Sequence, residues 1–175
     1  MPQLPQININ GFCYWVSDNN KYLGTISSVD LPDVQRKTAT LSGLGIAGDL
    51  KVPTLGAEPM EATIHFREPE KDAYGLFAPD IHHIEVRSIV RHQSTAPHSI
   101  RVVEDRYVLI MEPLSLKLGS IKTAEEQGLE LPVTVYSITG YHDEKRVLML
   151  DPMNIIWEIN GVDYMKKVRE LGGIA

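Results

Sequence analysis

Apolar and polar residues alternate with a period of two along much of this chain, and that rhythm most narrows what it can become. In HHIEVRSIVRH, Ile84, Val86, Ser88 and Val90 fall on one face, and Glu85, Arg87 and Arg91 fall on the other with Ile89. Successive side chains of a strand point to opposite faces, so this is a strand with one buried and one wet side. Leu129, Leu131, Val133 and Val135 repeat the pattern, as do GFCYWV (Gly11–Val16) and EATIHF (Glu61–Phe66). YLGTISSVDLP (Tyr22–Pro32) follows the turn SDNNK and predicts a hairpin with GFCYWV. HSIRVVEDRYVLIME (His98–Glu112) continues the alternation, with a bulge or break expected at Glu104–Asp105. YHDEKR reads as a turn into VLMLD, and NIIWEIN (Asn154–Asn160) closes the strand set.

Two short helices interrupt the strands. In EPEKDAYGLFAP, Pro69 suits the first helical position, Ala73, Leu76 and Phe77 form an apolar stripe, and Pro79 is the stop. The second is expected over 161–172, with Tyr164, Met165, Val168 and Leu171 on one side and Gly172–Gly173 as its C-terminal cap. With no internal repeat or linker, the fold class is α+β: a single domain over 1–175, mainly antiparallel β, in a sandwich or partial barrel.

Each chemistry-bearing motif also has a plainer reading. Gly43, Gly45 and Gly48 spell G-x-G-x-x-G, the spacing of a pyrophosphate cradle. A cradle needs a hydrophobic strand before it and a helix after it. Here DVQRKTATLS precedes it, and Pro53, Gly56 and Pro59 follow, leaving no room for a helix. These glycines are therefore expected to serve the backbone rather than a cofactor. His82 and His83 point to opposite faces of a strand and cannot share a metal, and His83 with Glu85 is too sparse a ligand set. Neither Ser99 nor Ser115 sits in a nucleophile elbow. Cys13, between Phe12 and Tyr14, reads as a small core residue. No catalytic residue, cofactor or metal is expected.

Composition adds exclusions. The net charge of −6 without a dense basic block argues against a nucleic-acid grip. No run of apolar residues is long enough to span a membrane as a helix. The opening MPQLPQININ lacks the basic and apolar regions of a secretory signal, and a single cysteine fits folding in a reducing cytosol.

Taken together, several stretches resemble the phage major tail tube protein family. The resemblance rests on Val29, Leu31, Pro32, Arg36 and Lys37 in VDLPDVQRK, followed by the glycines Gly43, Gly45 and Gly48. It rests also on D-P-x-N at Asp151, Pro152 and Asn154, and on I-N-G-V-D, including Asn160, Gly161 and Asp163. It runs from about Ile7 to Leu171; Tyr136–Ser137 stands where the family has a tyrosine pair. The resemblance implies a β-sandwich or barrel with a flanking helix, shared with inner-tube proteins of type VI secretion. It implies six copies in a ring and rings stacked into a hollow tube inside a contractile sheath. Baseplate or tube-initiator and tail-terminator proteins would bind at the ends, with a tape-measure protein in the lumen. DNA would pass without being bound, and the location would be a virion tail or phage-tail-like bacteriocin particle, assembled from subunits folded in the host cytoplasm. If Glu85, Glu104, Asp105, Glu112, Glu125, Glu126 or Glu130 line the lumen, their charge repels phosphates.

On this reading the functional surface is between subunits. The Gly-rich arm over 33–58 is expected to be a mobile excursion that orders on assembly. Thr38, Thr40, Leu41, Leu44, Ile46, Leu50 and Val52 would supply its contacts. Two other classes compete: a ring-forming tube-initiator or baseplate adaptor, and a small-ligand or nucleotide-binding β-barrel that would release heat on titration with dinucleotides.

Overall fold

The computed structural model describes residues 6–43, 45, 47–93 and 100–174. Leu44 and Ile46 of the predicted arm, and His98 and Ser99 at the start of a predicted strand, lie outside the described residues.

The strands are β1 (Ile7–Trp15), β2 (Lys21–Tyr22), β3 (Ile26–Asp30), β4 (Arg36–Leu41), β5 (Leu50–Ala57) and β6 (Met60–Phe66). After helix α1 (Lys71–Leu76) come β7 (His82–Gln93), β8 (Ile100–Pro113), β9 (Leu129–His142) and β10 (Lys145–Asp151). The chain closes with β11 (Ile156–Ile159), β12 (Val162–Asp163) and helix α2 (Lys166–Leu171). All the pairings are antiparallel, in the order β12-β11-β10-β9-β8-β7-β1-β2, with β6 and then β3 branching from β9.

The branch shapes the molecule. One edge of β9 pairs with β8; the other carries β6 along Leu129–Val135 and β10 along Ile138–His142. The sheet ends β2 and β3 are joined through Leu23–Thr25, so the open sheet curls into a partial barrel around one core. That core gathers Ile64 and Phe66 from β6, Ile84 from β7, and Leu109 and Met111 from β8. Leu129, Leu131 and Val133 join from β9, with Ala73 and Leu76 from α1. The alternation of β9 lands as expected: Leu129, Leu131, Val133 and Val135 are all buried.

Several local expectations need correction. Pro69 is not the first helical residue; Glu70 keeps an extended backbone (ψ 161°) as the N-cap, so α1 starts at Lys71. The helix ends at Leu76, which leaves Phe77 just beyond it and 41% exposed rather than in the stripe. Tyr22–Pro32 is two strands, because the chain turns at Leu23, whose N–H donates to the Cys13 carbonyl (2.9 Å). No break occurs at Glu104–Asp105; β8 runs through them, paired with Ile89 and Ser88, and its register shift falls at Ile110/Met111. NIIWEIN forms a strand only from Ile156, because Ile155 sits at φ +53° in the preceding turn.

The predicted 161–172 helix is also shorter. Asn160 (φ +50°) and Gly161 (φ +82°) both take left-handed backbone, the requirement of a two-residue hairpin turn. Val162 and Asp163 then pair back on Ile159 and Glu158, so helix begins only at Lys166. Its end is as expected, with Gly173 at φ +70°.

Candidate functional site

The predicted arm is a β-hairpin rather than a flexible loop. β4 and β5 form a two-stranded sheet of their own, running from Arg36↔Ala57 to Leu41↔Leu50 with a register shift between Arg36 and Thr38, and pair with no other described strand. All six residues of β4 are exposed, including Thr38, Thr40 and Leu41; Leu50 is exposed and Val52 half-buried. A lone hairpin in water is marginal, and this one is tied by side chains at its base. Arg36 Nε donates to the Thr54 carbonyl (2.9 Å) and its Nη2 to that of Pro53 (3.4 Å). Thr54 Oγ1 donates to the Lys37 carbonyl (2.9 Å). The Glu58 N–H donates to the Gln35 carbonyl (2.8 Å), closing the neck. Thus Arg36 and Lys37 of the motif build the hairpin's stem, while Leu31 and the buried Pro32 lead the chain out of β3.

The glycines sit at the hairpin's far end. Gly45 (φ +94°) and Gly48 (φ +111°) hold backbone that side chains disfavour, and a Cβ on either would meet nothing. Their job is conformational. The structure brings no strand–glycine–helix arrangement to them, in keeping with the sequence reading.

The second motif cluster is a latch at the other end of the chain. Asp151 accepts the Asn154 N–H (3.1 Å) and its side-chain amide (2.6 Å), bending D-P-x-N into a turn after Pro152. Ile155 follows at φ +53°, a strained position for a β-branched residue. Arg169 from α2 supports it: Nη1 donates to the Ile155 carbonyl (2.6 Å) and Nη2 to Asp163 Oδ2 (2.5 Å). Asp163 also accepts the Met165 N–H (2.9 Å), so one carboxylate joins the Asn160–Gly161 hairpin to the helix. This hydrogen bond with Arg169 holds the Asp163 carboxyl below its usual range. Arg169 lies outside both sequence motifs. Its partners lie 6 and 14 residues away, and nothing in the linear pattern signals them.

A prediction follows from the sign of that shift. A carboxyl with a depressed folded pKa contributes stability above its unfolded pKa and loses it as pH falls through the folded value. In hydrogen exchange, α2 amides should keep their protection through mildly acidic pH and lose it only below the ordinary aspartate range. Arg169→Leu should release α2 at neutral pH while the β6 and β9 amides stay protected. Equal loss in both regions would refute a local latch.

Between these two clusters lies an apolar cleft of about 250 Å³, lined by Arg36 and Leu55 of the hairpin stem and by Trp157, Ile159 and Tyr164. Helix α2 has no buried residue, and Val162, Tyr164, Val168 and Leu171 leave an apolar strip facing solvent.

Elsewhere several titratable groups have structural partners. His82 is buried with Nε2 3.0 Å from the Ala78 carbonyl, while His83 is exposed on the opposite face, as the strand period requires. His65 lies 2.8 Å from Asp30, and His142 lies 2.5 Å from Asp105. Burial pushes the Cys13 thiol up to about 12, so it stays protonated and unreactive. Among the described residues, no group of three or more His, Cys, Asp or Glu side chains could hold a metal ion. The acidic residues suggested for a lumen are largely matched: Glu85 with Arg87, Glu130 with Lys117, Glu125 with Lys122, and Glu112 with the Tyr136 hydroxyl. Arg87 and Arg106 also stack over Tyr14 and Tyr141. The cross-strand register places both arginines beside Glu85 and Glu104 on one face, whose charge is mixed rather than acidic.

The pattern of phage tail tube protein FII matches residues 7–172, which include both motif clusters, the hairpin and the whole sheet. The chain belongs to this family. It is therefore a structural tail component rather than an enzyme, and the exposed hairpin and latch are features of a tail subunit. No curated protein sequence matches it significantly. Its fold is that of two chains of an extracellular contractile injection system termed PVC. One, from the sheath/tube terminator in its extended state, is 12% identical with a TM-score of 0.56, covering 81% of this chain and 99% of the other. The other, from the extended sheath–tube complex, is 11% identical with a TM-score of 0.55, covering 78% and 91%.

Proposed function

We propose that this chain is the tube subunit of a contractile phage tail or phage-tail-like particle. Six copies close a ring, rings stack into a hollow tube, and the tube lies inside a sheath. The family match from Ile7 to Gly172 carries the reading. The β4–β5 hairpin is the arm between subunits, with Thr38, Thr40, Leu41, Leu50 and Val52 as its contact surface. An open sheet of half-wet strands supports this, because joining sheets around a ring removes edges that would otherwise aggregate. Sheath, tube-initiator, terminator and tape-measure proteins are its partners in the particle, and DNA or another cargo passes without specific binding. Negative-stain micrographs of the purified protein at high concentration test the reading. Long hollow tubes are expected, and monomers alone would overturn it.

A second reading has one observation in its favour, the 99% coverage of a terminator chain. A ring-forming adaptor at the end of a tube would give single rings in the same micrographs.

A further inference from the structure

We propose that the distal end of the β4–β5 hairpin is a knob that seats in the cleft at the hairpin's base on a second copy of this chain. The proposal rests on the tube reading and names the contact that reading leaves open. Leu41 and Leu50 face each other across the last rung of the hairpin, 48% and 53% exposed, with no core to enter. The cleft at the stem is lined by Leu55, Trp157, Ile159 and Tyr164, a size and polarity suited to aliphatic side chains.

The knob and the hole cannot meet within one molecule. Leu41 stands five residues along a paired strand from Arg36, which is itself a wall of the cleft. At the rise of a strand this separates them by about 17 Å. A knob and a hole at different places on one surface make a heterologous contact, which propagates from copy to copy instead of closing as a dimer. A ring or a stack of rings needs that kind of contact.

The charges around knob and hole are complementary. Asp49 precedes Leu50, and the exposed Lys166 and Lys167 follow Tyr164, a wall of the cleft, by two and three residues. Among the described residues none of the three forms an ion pair within the chain. The contact also gives the exposed face of α2, which packs on no core residue, a surface to cover.

Two single-substitution proteins test the contact, Leu50→Cys and Tyr164→Cys. Both positions are exposed, and Cys13 is buried and protonated, so it stays silent. Mixed in equal amounts and oxidised with diamide, the pair should give covalent dimers at least tenfold above either protein alone. A mixture without that excess overturns the contact. Asp49→Lys should lower the assembled fraction at least tenfold, and adding Lys166→Asp and Lys167→Asp to the same chain should restore it. Assembly unchanged by Asp49→Lys, or not restored by the swap, also overturns it. The failures separate cleanly. Tubes without the cross-link sink the contact and keep the tube, whereas monomers that still cross-link pairwise sink the tube and keep the contact.

Discussion

Replacing Lys37–Gly56 by Asn-Gly should leave a protein that melts within a few degrees of the parent and never forms tubes. Arg36 and Ala57 are directly opposed partners, so a two-residue turn can join them without disturbing the neck. Nothing removed belongs to the buried core, since β4 is exposed throughout and β5 is at most half-buried before Ala57. Surface changes of this kind cost on the order of 1 kcal/mol or less. For a chain of this size that corresponds to roughly 2–4 °C in Tm. Assembly, in contrast, should fall below detection, because the shortened chain loses the knob and, with Leu55, one wall of the cleft. Calorimetry and negative-stain microscopy on the same sample read both halves. A shortened protein that still makes tubes would remove the hairpin from the interface.

The complementary substitution strikes the fold and spares the interface. Phe66→Ala should cost about 3–5 kcal/mol, the usual toll for deleting a fully buried aromatic ring. Phe66 is 1% exposed, and it pairs with Leu129 on one side and Ile26 on the other, at the place where β6 branches from β9. Total stability of a domain like this is only about 5–15 kcal/mol, so the loss is a large share of it. The denaturant midpoint should drop sharply, whereas Ile121→Ala, at a position 89% exposed, should leave it within about 0.5 kcal/mol. Similar midpoints for the two variants would contradict the placement of the core.

Much of the local structure was legible in advance. The period of two in HHIEVRSIVRH and LELPVTV is a direct consequence of strand geometry, so its buried faces could be named before any fold was known. The same reasoning excluded a phosphate cradle at Gly43–Gly48, since it asked only whether a strand and a helix flank the glycines. Errors clustered where a turn's dihedral angles outweigh composition. VDYMKKVREL has a helical stripe, yet the Asn160–Gly161 turn sends Val162–Asp163 back onto β11 and delays the helix to Lys166. Likewise, Pro53, Gly56 and the polar run before Gly43 read as a mobile arm. Pairing between β4 and β5 and the reach of Arg36 to the Pro53 and Thr54 carbonyls make it a hairpin.

By itself, then, the sequence determined the strand-rich class, the buried faces and the family, because these depend on residues near one another in the chain. Only the tertiary structure decided which strands neighbour each other, where β9 divides its edge between β6 and β10, and that Arg169 ties Ile155 to Asp163. It alone set an apolar cleft at the foot of the hairpin and two leucines at its far end. Such contacts join positions more than a hundred residues apart, and a one-dimensional pattern of polarity carries no term for that distance.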